Sequence, residues 1–189
     1  MSVDNDADVR CFIAVDIPAR QQQELWRQCR LWRQRFDAFR WGNPSQYHLT
    51  VAFLGNQPQT LLATLAEQLA PVVARLAASG VVADQLELFP ARRPHVVAAR
   101  LVPTAALNRL YRRVNEVCTA CGIEVPQPSR SFHPHITVAR FHRHSFHETV
   151  APLKLDLTIP LTAVKLFAGE LTPDGAVHRV VERFLLHRG

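Results

Sequence analysis

Apolar positions along this chain come in short dense runs that alternate with longer stripes of helical spacing. The first run, Val9–Pro18 (VRCFIAVDIP), reads as a strand and closes on a proline suited to a helix start. Leu25, Trp26, Cys29, Trp32, Arg33 and Phe36 then predict a helix with a basic outer face. Gly42, Asn43 and Pro44 turn the chain, and Tyr47–Gly55 (YHLTVAFLG) follows as a strand stopped at Gly55-Asn56. Pro58 opens a second helix carrying Leu61, Leu62, Leu65, Leu69, Val72, Val73 and Leu76 on one side; Pro71 is expected to kink or divide it and Gly80 to end it. VVADQLEL predicts a strand, FPARRP a basic loop, and His95–Val102 a further strand. After Pro103 comes the clearest helix, with Leu107, Leu110, Tyr111, Val114, Val117, Cys118 and Cys121 on its stripe and Gly122 at its expected end. VPQPSR reads as a loop, SFHPHITVARF as a strand and HRHSFHETV as a histidine-rich connection. LTAVKLFAGE and AVHRVVERFLL then form a hairpin around Pro173-Asp174-Gly175.

The order is β-α-β-α-β-β-α-β-β-β, an α+β pattern. Within it one unit recurs. A strand, a helix of about four turns and a strand containing His-x-Thr-Val occur around His48 and again around His135. The repeat is too divergent and too long in period for a solenoid, and it predicts two similar lobes facing each other. Residues 9–186 are read as one bilobal domain, with residues 1–8 a flexible leader.

Composition narrows the class. Of 189 residues, 48% are hydrophobic, enough for a packed core, which sets disorder aside. No apolar run approaches the ~18 residues of a membrane helix. MSVDNDADVR is polar and acidic, without the basic and apolar regions of a secretory signal, so a cytoplasmic protein is expected. The net charge is +6, and Lys154 and Lys165 are the only lysines among 22 basic residues. Arginine forks suit phosphates, whereas a GC-rich coding sequence produces the same bias; the charge permits a polyanionic partner without establishing one. The four cysteines include Cys118-Thr-Ala-Cys121, but no second C-x-x-C completes a zinc site, and both lie on the apolar helical stripe as expected buried thiols.

Side chains two apart on a strand share a face. His48 and Thr50 therefore look one way and Leu49 and Val51 the other; His135 and Thr137 oppose Ile136 and Val138 in the same manner. Each strand has a packing face and a face that sets an imidazole beside a hydroxyl. Two such pairs facing each other supply two proton-transfer groups and two oxyanion donors, an inventory that suits in-line displacement at a phosphodiester. This logic requires no metal or cofactor.

The sequence resembles the RNA 2′,3′-cyclic phosphodiesterases (the LigT/ThpR family, once called 2′-5′ RNA ligases) of the 2H phosphoesterase superfamily. Its signature is two H-x-[ST]-x tetrapeptides, here His48-Leu49-Thr50-Val51 and His135-Ile136-Thr137-Val138. RCFIAVDIP, YHLTVAFLG and SFHPHITVAR match its longer motifs, and the resemblance covers about residues 9–186. It implies a bilobal α+β fold, with two pseudo-symmetric lobes of antiparallel sheet around a central cleft and helices outside. It implies hydrolysis of RNA 2′,3′-cyclic phosphate ends to 2′-phosphomonoesters, and in some members the reverse 2′-5′ joining of tRNA halves. By position His48 matches the proton donor and His135 the proton acceptor, and in a pseudo-symmetric pocket microscopic reversibility exchanges the two roles. Thr50 and Thr137 hold phosphate oxygens. Arg140 matches a phosphate-contacting arginine, yet strict alternation from His135 puts it on the packing face unless a bulge redirects it. His178 stands where many members carry an aromatic residue. The expected partner is an RNA end, on tRNA halves or short oligonucleotides, with no membrane partner, met by a monomer.

Other candidates surround the motifs. His133 shares a face with His135 and could line the cleft mouth; Phe132, Trp41, Tyr47 and Phe53 are candidates for base stacking, with alternation assigning Tyr47 and Phe53 to the core. Arg92-Arg93 and Arg30, Arg33 and Arg35 are candidate guides for an RNA backbone. Rival readings are an RNA-end binding module without turnover, and a metal-dependent phosphohydrolase built on His133, His135, His142, His144 and His147, for which the nearest carboxylate is Glu148.

Overall fold

The computed structural model describes residues 8–125, 132–141, 150–172 and 175–187. Its elements are β1 (Asp8–Asp16), α1 (Ala19–Gln28), α2 (Arg30–Arg35), β2 (Arg40–Trp41), β3 (His48–Pro58), α3 (Gln59–Val73), β4 (Ser79–Phe89), β5 (Val96–Leu101), α4 (Ala105–Ala120), β6 (His135–Arg140), β7 (Leu153–Leu161), β8 (Ala163–Thr172) and β9 (Gly175–Leu185).

The strands form a nine-stranded antiparallel sheet in the order β7-β4-β5-β6-β3-β1-β8-β9, with β2 added to β6. It has two four-stranded halves. They meet where β6 and β3 pair antiparallel at Leu49↔Ile136. A half-turn about that pair carries β6 onto β3, β5 onto β1, β4 onto β8 and β7 onto β9. This is the bilobal α+β architecture expected. One face of the sheet carries Ile13, Val15, Leu49, Val51, Val97, Ile136 and Val138, packed with Leu25, Leu65, Leu69, Leu107 and Val114 of the helices into one core. Each such fully buried aliphatic side chain contributes about 1.5–3 kcal/mol. The other face bears both His-x-Thr pairs. No helix among the described residues is long and apolar enough to cross a membrane.

Local chemistry explains the element ends. Thr104 caps α4 by accepting from the Leu107 N–H at 3.1 Å, and Gly122, at φ 77°, closes it while the Ile123 N–H returns to the Cys118 carbonyl. Four expectations need correction. The first predicted helix is two, α1 and α2, broken at Cys29. α3 is neither divided at Pro71 nor extended to Gly80. Pro71 falls in its last turn, where the missing N–H removes a single bond, and the helix ends at Val73. β3 does not stop at Gly55, because at φ 71° that glycine takes a left-handed conformation that keeps the ladder going to Asp8↔Pro58. The added strand β7 is strictly alternating (LKLDLTIPL) and lies at the sheet edge, where Pro160 is tolerated. α1 lies against that edge: the Gln28 side chain donates to the Asp156 carbonyl and accepts from its N–H, both at 3.2 Å. The turn residues Pro173 and Asp174 lie outside the described residues.

Candidate active site

The two His-x-Thr strands follow the same course. From His48 and from His135, burial runs half-buried, buried, half-buried, buried, buried, exposed. Pure alternation cannot give that order, but a bulge can. Along β1 and β3 the register jumps from Ala14↔Thr50 to Ile13↔Ala52, which leaves Val51 extra; along β5 and β6 it jumps from Ala98↔Thr137 to Val97↔Ala139, which leaves Val138 extra. Each bulge reverses the phase once, so the sixth residue of each motif returns to the histidine face.

In one half that residue is Arg140, in the other Phe53. The bulge thus moves Arg140 off the packing face that strict alternation assigned to it. Phe53, expected in the core, is instead 61% exposed. Its register partner Phe12 stacks on the His48 ring, which fixes the face. Tyr47, before the bulge, is buried with Leu49.

The seam brings the motifs together. In the register set by Leu49↔Ile136, His48 falls opposite Thr137 and Thr50 opposite His135. Each imidazole is held alike. His48 Nδ1 lies 2.7 Å from the Gln46 carbonyl, and His135 Nδ1 lies 2.9 Å from the His133 carbonyl. A carbonyl only accepts, so Nδ1 carries a proton and donates. In the neutral ring Nε2 is then the atom with a free lone pair. Aromatic rings press on both: Phe12 sits 5.0 Å and Phe167 6.0 Å from His48, and Phe89 sits 4.5 Å from His135.

Burial is the main reason both imidazoles titrate below the ordinary histidine value of 6.5. The carbonyl hydrogen bonds oppose that shift. His178, Arg140 and His135 lower His48 further. Around His135, Glu87 raises the value while His133 and Arg140 lower it. The positive charge of Arg140, on the histidine face after the bulge, lowers His48, His135 and also His178. His178 sits edge-on to Phe12 at 4.9 Å, in space left by Gly169, where a Cβ would stand 2.7 Å from His178 Nδ1. The arrangement can accept a proton on one side of a bound group, deliver one on the other, and hold anionic oxygens between them.

The remaining candidates scatter. His133 lies at the rim, its ring 6.5 Å from Phe89. Phe132, half-buried, stacks on Tyr111 of α4 at 4.0 Å and packs against the core. Arg33 lies 3.8 Å over Trp26 and Arg35 lies 5.0 Å over Phe36, so these helix arginines rest on aromatic faces of the helical layer. Trp41 donates from Nε1 to the Phe36 carbonyl. Arg92 and Arg93 stand in the β4–β5 connection. His142, His144, His147 and Glu148 fall outside the described residues, and among those described no three histidine, cysteine or acidic side chains converge as metal ligands. Cys118 is buried with its thiol pushed up to about 12, and Cys121 is half-buried. One supporting residue escaped the sequence reading. Asn115 of α4, 5% exposed, donates from Nδ2 to the Val51 carbonyl at 3.0 Å and to the Tyr111 carbonyl at 2.6 Å. It serves the bulge itself; its only sequence signal is an amide on an apolar helix face.

Comparison with known proteins places this geometry in context. The family model described as the 2′-5′ RNA ligase superfamily matches residues 17–169. An RNA 2′,3′-cyclic phosphodiesterase of Geobacillus stearothermophilus is 34% identical over 130 residues, which are 68% of this chain and 41% of that relative, well under its full length. One from Thermus thermophilus is 32% identical over 154 residues, 76% of this chain and 73% of the relative. Among solved structures, E. coli LigT complexed with 3′-AMP superposes with a TM-score of 0.75 at 25% identity, covering 95% of this chain and 98% of LigT.

Proposed function

The chain belongs to the 2′-5′ RNA ligase superfamily, and from that premise we propose that it hydrolyses RNA 2′,3′-cyclic phosphate ends to 2′-phosphomonoesters. The observation that carries the reading is the pair of imidazoles, each tied to a carbonyl through Nδ1 so that Nε2 is left for proton transfer, on adjoining strands that carry Thr50 and Thr137 on the same face. The names of the Geobacillus and Thermus relatives and the 3′-AMP bound by LigT support it.

Water attacks phosphorus opposite the 3′ oxygen. His135 Nε2 takes the proton of that water as the new P–O bond forms, and His48 Nε2–H gives a proton to the 3′ oxygen as its bond to phosphorus breaks. Thr50 and Thr137 donate to the non-bridging oxygens, and Arg140 offsets the charge that grows on them. His48 must be protonated in the complex. The incoming phosphodiester anion favours that state, and an imidazolium whose affinity for its proton is lowered by burial gives it up readily. The RNA ends concerned are those of tRNA halves or short oligonucleotides.

The test is product mapping on a short RNA ending in a 2′,3′-cyclic phosphate, with and without chelator. A 2′-phosphate formed at the same rate in both is the expected result. A 3′-phosphate, binding without turnover, or loss of activity with chelator would each overturn the reading.

A further inference from the structure

The half-turn that relates the two lobes exposes an inversion of charge. In the first half Thr50, Ala14 and Lys165 stand side by side across β3, β1 and β8. In the second half the equivalent row is Thr137, Ala98 and Glu87 across β6, β5 and β4. Both central residues are fully buried alanines, so no longer side chain separates the outer residue from the catalytic threonine and histidine. The outer residue is a cation in one row and an anion in the other. Glu87 shares the face of His135, because Phe89, two residues along the same strand, has its ring 4.5 Å from the His135 ring.

The two charges are also differently engaged. Lys165 Nζ is 2.8 Å from Asp16 Oδ1, and Arg183 Nε is 3.8 Å from Asp16 Oδ2, so Asp16 offsets Lys165 locally. Near Glu87, Arg100 is gripped by Asp84 through its Nε at 3.0 Å and a second, shorter bond. Gln85 donates to Glu87 Oε2 at 2.5 Å, a neutral contact that leaves the negative charge in place. The other charged or titratable groups around His135 are Arg140 and His133 on its own segment, Arg100 on β5, Asp84 on β4, Lys154 opposite Gln85 on β7, and His48 across the seam. His48 faces Arg140, His178 and His135, and its register partner on β1 is Asp16, the carboxylate already engaged by Lys165 and Arg183.

We propose that Glu87 is a positioning residue that polarises the cleft: its carboxylate stabilises the imidazolium formed when His135 takes the proton of water, and thereby fixes His135 as base and His48 as acid. This rests on the hydrolytic reading above. The proton leaves water for His135 Nε2 while the oxygen of water bonds to phosphorus. The P–O3′ electron pair leaves on the 3′ oxygen, which takes the proton of His48 Nε2. Solvent then returns the proton from His135 and restores the one on His48.

The test is Glu87→Gln, similar in size and uncharged, read two ways in the full-length protein. In an NMR titration of the free protein, the pKa of His135 falls and that of His48 stays near its wild-type value. On RNA ending in a 2′,3′-cyclic phosphate, kcat falls about tenfold, the equivalent of one pKa unit of imidazolium stabilisation, and Glu87→Asp recovers part of the loss. A cyclic substrate with sulfur at the 3′ bridging position separates the roles, because a thiolate leaves without a proton. His48→Ala is rescued on that substrate, and Glu87→Gln is not. A shift centred on His48, an unchanged kcat, or rescue of Glu87→Gln by sulfur would each overturn the proposal. If the wild-type protein fails to open the cyclic phosphate at all, the hydrolytic reading falls and the catalytic part of this proposal with it. The titration then still decides whether Glu87 governs the proton affinity of His135.

Discussion

Replacing Asn115 tests how the site is held. Its amide reaches from α4 to the carbonyl of Val51, the extra residue of the first bulge. In Asn115→Leu the branching and the number of side-chain heavy atoms are kept, so no cavity opens, but the buried carbonyl loses its donor. An unsatisfied buried polar group costs about 1–3 kcal/mol. For a protein of this size each kcal/mol moves the melting temperature by about 2–4 °C, so a fall of roughly 2–12 °C is expected by calorimetry. Activity should fall as well, because the bulge sets the pitch of Thr50 beside His48. Asn108→Ala, on the exposed side of the same helix, is the control and should stay within about 0.5 kcal/mol of wild type. If Asn115→Leu melted within about 1 °C of wild type and kept its kcat, the bulge would not depend on this contact and the argument would fail.

Four further outcomes are expected. His48→Ala and His135→Ala should each lower kcat by about two to four decades while binding of an uncleavable RNA end changes little; a variant with near wild-type turnover would refute the paired mechanism. His48, His135 and His178 all titrate below 6.5, so the unfolded chain binds their protons first. Stability is therefore level above about pH 6.5 and declines as the pH drops toward the lowered folded-state values. His135→Gln should flatten that decline in thermal melts, and an unchanged slope would count against it. Phe53→Ser should leave stability within about 0.5 kcal/mol because the ring is exposed, whereas a core ring would cost several times more. The buried thiols of Cys11, raised to about 11, and of Cys29 and Cys118, raised to about 12, should resist a disulfide reagent in the native state, with Cys121 reacting first.

The paired histidines and threonines were legible in the sequence because period 2 is a property of one strand. What lay hidden depends on a partner. Val51 and Val138 are ordinary strand residues until β1 and β5 pair beside them with one residue fewer; only then do Phe53 and Arg140 change faces. Glu87 sits in an unremarkable DQLEL run, and its bearing on His135 exists only once β4, β5 and β6 lie side by side. Asn115 could be flagged as an amide on an apolar stripe, but its acceptor lies 64 residues away. β7 was readable from its complete alternation, which the prolines at 152 and 160 obscured.

The seam at Leu49↔Ile136 has a further consequence. Two antiparallel strands meeting on a half-turn axis are the contact that a homodimer of half-length chains would make, each surface complementary to itself. Such a dimer would be bound to carry the same residue on both sides of its axis. It would have two Phe53 or two Arg140, two Lys165 or two Glu87, and two indistinguishable imidazoles. Joining the halves in one polypeptide lifts that obligation. The backbone keeps the symmetry that aims both histidines at one point, while the side chains are free to differ, and a displacement that needs a giver on one side and a taker on the other can run in a fixed sense.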